Sequence, residues 1–115
     1  MTDGFTIYHN PRCTTSRKTL DLLRDNGVEP EIVQYLKTPP TRAELAAMIA
    51  DAGIDVRTAV RKREALYSEL NLADASDDEL LDAMAAHPIL IERPFVVTSK
   101  GTRLARPIDA VRDIL

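Results

Sequence analysis

A chain of 115 residues accommodates one compact domain and leaves little for a second. Its 44% hydrophobic content suffices for one core, while a formal charge of −3 argues against nucleic-acid binding, which needs a concentrated basic face. No apolar run approaches the roughly 20 residues of a membrane helix, and the first ten residues lack the basic head and hydrophobic stretch of a secretory signal, so a cytoplasmic protein with no membrane partner is expected.

Phe5 to His9 alternates apolar and polar residues and predicts a short strand. Asn10-Pro11-Arg12 breaks it, and a helical pattern runs from about Thr14 to Asn26, with Leu20, Leu23 and, less regularly, Leu22 on its apolar face. Asn26-Gly27 supplies a stop that tolerates positive φ. Glu31 to Leu36 predicts a second strand, so the first third has the length of a βαβ unit with a parallel pair.

Thr38-Pro39-Pro40 halts the chain. Thr41 with Glu44 has capping-box spacing and opens a helix through Leu45, Met48 and Ile49. Asp55 is expected to cap a further segment reaching about Leu70. Ser76 with Glu79 repeats the capping-box spacing before a helix ending near His87-Pro88. Phe95 to Thr98, a Ser99-Lys100-Gly101 turn and Thr102 to Arg106 predict a hairpin. Pro107 then suits the first position of a final helix with Ile108, Val111, Ile114 and Leu115 inward. The expected architecture is α/β: one domain over residues 1–115, a mixed four-stranded sheet in the order βαβ, helical insertion at about 40–87, ββα.

The chain has one cysteine, which excludes an internal disulfide and a self-contained dithiol cycle. His9 and His87 lie far apart and no ligand cluster surrounds Cys13, so no metal site is expected. Cys13 stands where the first strand gives way to the first helix. The N–H groups that open a helix are unpaired and the dipole there is positive, so a thiolate is stabilised and its pKa should fall below the usual value of about 8.5. Arg12 and Arg17 add positive charge, Ser16 lies one helical turn on, and His9 sits at the strand end beside the loop. A lone cysteine in a strand-to-helix turn is otherwise a small buried hydrophobe. The polar, cationic run Asn10 to Arg17 favours the reactive reading.

The run His9-Asn10-Pro11-Arg12-Cys13-Thr14-Thr15-Ser16-Arg17-Lys18-Thr19-Leu20 resembles the active-site signature of the glutaredoxin-coupled arsenate reductase family. The likeness continues through Tyr35-Leu36-Lys37-Thr38-Pro39-Pro40, Val60-Arg61-Lys62-Arg63, Pro88-Ile89-Leu90-Ile91-Glu92-Arg93-Pro94 and Gly101-Thr102-Arg103-Leu104-Ala105-Arg106-Pro107. It covers essentially the whole chain in order. The resemblance implies a thioredoxin-like fold with a helical insertion, Cys13 as nucleophile, and Arg61, Arg93 and Arg106 as arginines that bind the arsenic oxyanion and its covalent adduct. It further implies that His9 helps to keep the cysteine ionised, that Ser16 is a nearby hydrogen-bonding partner, and that Pro94 is the cis-proline of thioredoxin-like folds. Thr14 departs from the glycine that follows the cysteine in the best-known members.

The implied reaction is reduction of arsenate to arsenite through a Cys13–arsenic intermediate. With no second cysteine to resolve it, glutathione or another low-molecular-weight thiol is the expected co-substrate and glutaredoxin the electron donor, with mycothiol and a mycoredoxin as equivalents; no bound cofactor is expected. The physical logic is consistent, since guanidinium forks match two oxygens of an anion that would otherwise repel a thiolate. Three alternatives use the same features. A glutathione-dependent thiol or disulfide reductase needs Cys13 but not all three arginines. A non-catalytic regulator of the Spx type would carry a second cysteine where Ser16 stands. An iron–sulfur carrier resembling monothiol glutaredoxins would share the Cys-x-x-Ser spacing.

Overall fold

The computed structural model describes residues 4–115. The chain divides into two units: the described residues up to Thr38 together with Arg93–Leu115, and Pro39–Glu92. Among the described residues no helix is long and apolar enough to cross a membrane.

The first unit is built on a four-stranded sheet. Strands β1 (Thr6–Tyr8) and β2 (Glu31–Val33) are parallel and joined by helix α1 (Thr14–Asp25). Strands β3 (Phe95–Thr98) and β4 (Gly101–Leu104) form a hairpin, β3 lies antiparallel to β1, and the order is β2-β1-β3-β4. This is the mixed sheet expected from the sequence. The core on one face gathers Ile7, Leu20, Leu23, Val96, Ala105, Val111 and Ile114. Each fully buried aliphatic side chain of this set contributes roughly 1.5–3 kcal/mol of transfer free energy.

Both strands of the parallel pair are shorter than the alternation suggests. His9 turns into the loop after donating its backbone N–H to the Val33 carbonyl (2.8 Å), and the chain beyond β2 closes a turn in which the Lys37 N–H reaches the Gln34 carbonyl (2.9 Å). Helix α1 ends as predicted, with Gly27 at φ +79 supplying the left-handed step. The final segment is a 3₁₀ helix, Ile108–Ile114, rather than an α-helix. Val111 and Ile114 are inward, three residues apart as 3₁₀ periodicity requires, whereas Ile108 and Leu115 are only partly covered.

The second unit is helical. Helices α2 (Arg42–Asp51) and α5 (Asp77–Ala86) each open with the reciprocal capping box read from the sequence, Thr41 with Glu44 and Ser76 with Glu79. Leu45, Met48 and Ile49 of α2 and Leu80, Leu81 and Met84 of α5 are buried, and the two helices pack together. The stretch from Asp55 to Leu70 is not one segment. It comprises α3 (Val56–Ala59) and α4 (Ala65–Glu69), and the Asp55 side chain makes no capping bond. Val60 is extended and bridges Ile91, with the Arg61 N–H donating to the Leu90 carbonyl (2.7 Å) and the Glu92 N–H to the Ala59 carbonyl (2.7 Å). That long-range pairing captures the backbone groups a continuous helix would have used.

Candidate active site

Cys13 is the N-cap residue of α1, in extended conformation (φ −92, ψ 122), and its carbonyl accepts the first helical bond from the Arg17 N–H at 3.0 Å. The loop leading to it is shaped by Asn10. The Asn10 carbonyl accepts from the Cys13 N–H (3.0 Å) and its side-chain oxygen accepts from the Arg12 N–H (3.0 Å). Thr14 is the first helical residue and needs no positive φ, so a threonine side chain fits there; its hydroxyl accepts from Arg17 Nη2 at 3.2 Å.

The Cys13 sulfur is acidified. Partial burial opposes ionisation, but the Ser16 N–H, the Arg93 guanidinium and the Thr15 N–H together outweigh it and hold the thiol below its ordinary value. The helix start supplies two of these donors, as the position of Cys13 in the sequence suggests. Arg106 approaches from the hairpin, with Nη2 3.8 Å from the sulfur.

Sheet register explains why the two arginines share one place. Phe95 pairs with Leu104 in the β3–β4 ladder, so continuing the register outward sets Pro94 against Ala105 and Arg93 against Arg106. The Ala105 N–H donates to the Pro94 carbonyl (2.9 Å) and Arg106 Nε donates to the Arg93 carbonyl (2.8 Å). The Arg93–Pro94 and Arg106–Pro107 peptide bonds are both cis. Arg93 is 7% exposed, and a cavity of about 330 Å³ beside Arg106 is lined by Thr15, Ala105, Arg106, Pro107 and Ile108.

His9 and Ser16 are hydrogen-bonded to one another. The His9 ring, 6% exposed, bonds through Nδ1 to Ser16 Oγ (2.6 Å), and the same hydroxyl accepts from the Asn10 N–H (3.0 Å). Burial, then the charges of Arg24 and Arg17, keep the imidazole pKa below its usual value and favour the neutral ring. The Ser16 hydroxyl fastens the loop, while its backbone N–H serves the sulfur.

Arg61 belongs to the other unit. It lies between α3 and α4, not on a solvated helix face, and its side chain is 15% exposed. Nε pairs with Glu64 Oε1 (2.9 Å) and Nη1 with Glu92 Oε1 (3.3 Å).

Tyr35, not singled out in the sequence, joins the site. Tyr8 pairs with Val33 at the end of the parallel ladder, so two residues further along each chain Asn10 and Tyr35 leave the same carboxyl end of the parallel pair. Tyr35 is 1% exposed, with its hydroxyl turned toward Arg93, Asn10 and Cys13. The available signal was its position at the carboxyl end of a strand parallel to the one that feeds the cysteine loop, where open α/β sheets place their ligand sites.

Comparison with known proteins bears on the family and the fold. The model of the ArsC family matches residues 8–114. An arsenate reductase of Rhizobium meliloti (strain 1021) is 61% identical over 112 residues, covering 96% of this chain and 80% of that protein. One from Escherichia coli (strain K12) is 57% identical over 114 residues, covering 97% and 81%. The solved structure of an arsenate reductase from Vibrio cholerae superposes with a TM-score of 0.92 at 47% identity, covering 96% of this chain and 97% of that one. With a thioredoxin-like fold and this extent of likeness, the chain belongs to the ArsC family.

Proposed function

We propose that the protein is an arsenate reductase, acting in the cytoplasm with Cys13 as its nucleophile. The observation that carries the reading is the pair Arg93 and Arg106 at one acidified sulfur, with Arg106 Nη2 3.8 Å from it. A thiolate and arsenate repel each other; two guanidinium groups offset that repulsion and stabilise charge on the arsenic oxygens as the As–S bond forms. Arg61 enters the reading from the sequence resemblance alone, as a third guanidinium for the oxyanion.

In the proposed cycle the Cys13 thiolate attacks As(V), and one arsenate oxygen leaves, protonated, as water. A small thiol, glutathione or its equivalent, supplies the second sulfur. Formation of the S–S bond passes two electrons to arsenic, which departs as arsenite. A glutaredoxin thiol then reduces the mixed disulfide by exchange and regenerates the thiolate. No protein-bound cofactor takes part.

The test is arsenate-dependent NADPH oxidation coupled through glutathione, glutaredoxin and glutathione reductase, with arsenite measured directly. Wild type should produce arsenite and Cys13→Ser should not. Turnover by the serine variant rejects the nucleophile, and thiol reduction without arsenite points to a disulfide reductase on the same scaffold.

A further inference from the structure

Tyr35 places a phenolic hydroxyl inside the site, fully covered and without a well-formed hydrogen bond. Its neighbours decide what it can do. Arg93 offers only N–H donors. Asn10 has its side-chain oxygen engaged by the Arg12 N–H, so it presents its NH₂ group to the tyrosine. Both therefore face the phenolic oxygen as donors, and neither can accept its proton. Burial also keeps the phenol in its neutral, proton-bearing form. A buried O–H with no acceptor costs free energy, and such groups call for an explanation in function.

The other ionisable group acting on the tyrosine is the Cys13 thiolate. The Cys13 sulfur lies close enough for its charge to be felt at the tyrosine, and Arg93 faces both. An anion attached to that sulfur and held by Arg93 would bring oxygen acceptors to the side of the site that the phenol faces.

We infer that Tyr35 is a further catalytic residue, whose hydroxyl, backed by Asn10 and Arg93, donates a hydrogen bond to an oxygen of the arsenic oxyanion on Cys13. The assignment rests on the reading of Cys13 as nucleophile. Arg93 binds that anion by charge; Tyr35 adds a neutral donor of fixed direction, of the kind that stabilises developing negative charge.

Tyr35→Phe removes the hydroxyl and keeps the ring. Turnover with arsenate should fall on the order of 10²-fold, the lower end of what losing one oxyanion donor costs. The melting temperature should stay level or rise, because a poorly paired buried hydroxyl has been deleted. The pH midpoint for iodoacetamide alkylation of Cys13 should match wild type, since the donor acts on the substrate oxygen and not on the resting sulfur. Wild-type turnover in the variant overturns the inference. So does lost turnover accompanied by an upward alkylation midpoint, which would make Tyr35 a positioning residue acting through Arg93. A lower melting temperature in the variant overturns it as well, in favour of a structural hydroxyl. Cys13→Ser, assayed alongside, separates failure of this inference from failure of the nucleophile assignment.

Discussion

Arg106 Nε donates a 2.8 Å hydrogen bond to the backbone carbonyl of Arg93. The bond locks the guanidinium plane while Nη2 points at the Cys13 sulfur, 3.8 Å away. One side chain therefore ties the hairpin's two ends together and addresses the nucleophile, a double task that needs a planar fork.

Lysine at this position keeps the charge but cannot make both contacts. Arg106→Lys should lower kcat/KM for arsenate by roughly 10²–10³-fold, the scale for a lost transition-state donor. Steady-state assay of arsenite production checks this, and a variant within about twofold of wild type excludes the fork argument.

The thiol of Cys13 is held below its ordinary value by the Ser16 N–H, Arg93 and the Thr15 N–H, against the opposing effect of burial. Alkylation by iodoacetamide should thus reach its half-maximal rate at a lower pH than for a free cysteine. Arg93→Ala should move that midpoint upward, and each unit of movement lowers the thiolate fraction well below the midpoint about tenfold. For an acid whose folded pKa is depressed, the stability gained from ionisation is fully present above the unfolded value and lost as pH falls through the folded one. The stability difference between wild type and Cys13→Ser should accordingly widen with rising pH across that window.

His9 gives the opposite response to acid. Its folded pKa lies below 6.5, first through burial and then through Arg24 and Arg17. Above 6.5 the ring is neutral in both states and costs nothing. As pH drops below 6.5 the unfolded chain takes up the proton first, so stability falls until the folded pKa is passed. Thermal melts of wild type against His9→Asn over falling pH should show a shallower acid loss in the variant. Parallel curves would remove His9 from the acid response.

The capping boxes of the helical unit should each matter to stability. Thr41→Ala and Ser76→Ala remove side chains that accept from the Glu44 and Glu79 N–H groups at 3.1 Å and 3.2 Å. Each substitution should cost about 1 kcal/mol, read as a lower urea midpoint. An unchanged midpoint for both would show that neither box stabilises the fold.

Much of this protein was written locally in its sequence. The alternation around Ile7, the hairpin signal from Phe95 onward, the Gly27 stop, the capping boxes at Thr41 and Ser76 and the helix start at Cys13 are local patterns, so spacing alone exposes them. Where distant partners competed, the local signal failed. Ile91 drew Val60 out of a helix that Asp55 was expected to start, and the last segment, expected as an α-helix, winds as a 3₁₀ helix with Val111 and Ile114 buried. The same division runs through the site. Spacing pointed to a thiolate at Cys13, because the unpaired N–H groups of a helix start follow from the helix itself. Only the β3–β4 register could set Arg93 against Arg106, only the parallel ladder could bring Tyr35 to Asn10, and only packing could bury His9 and turn it toward Ser16. Those pairs are joined by sheet closure and burial, and such forces act between residues without regard to their distance along the chain.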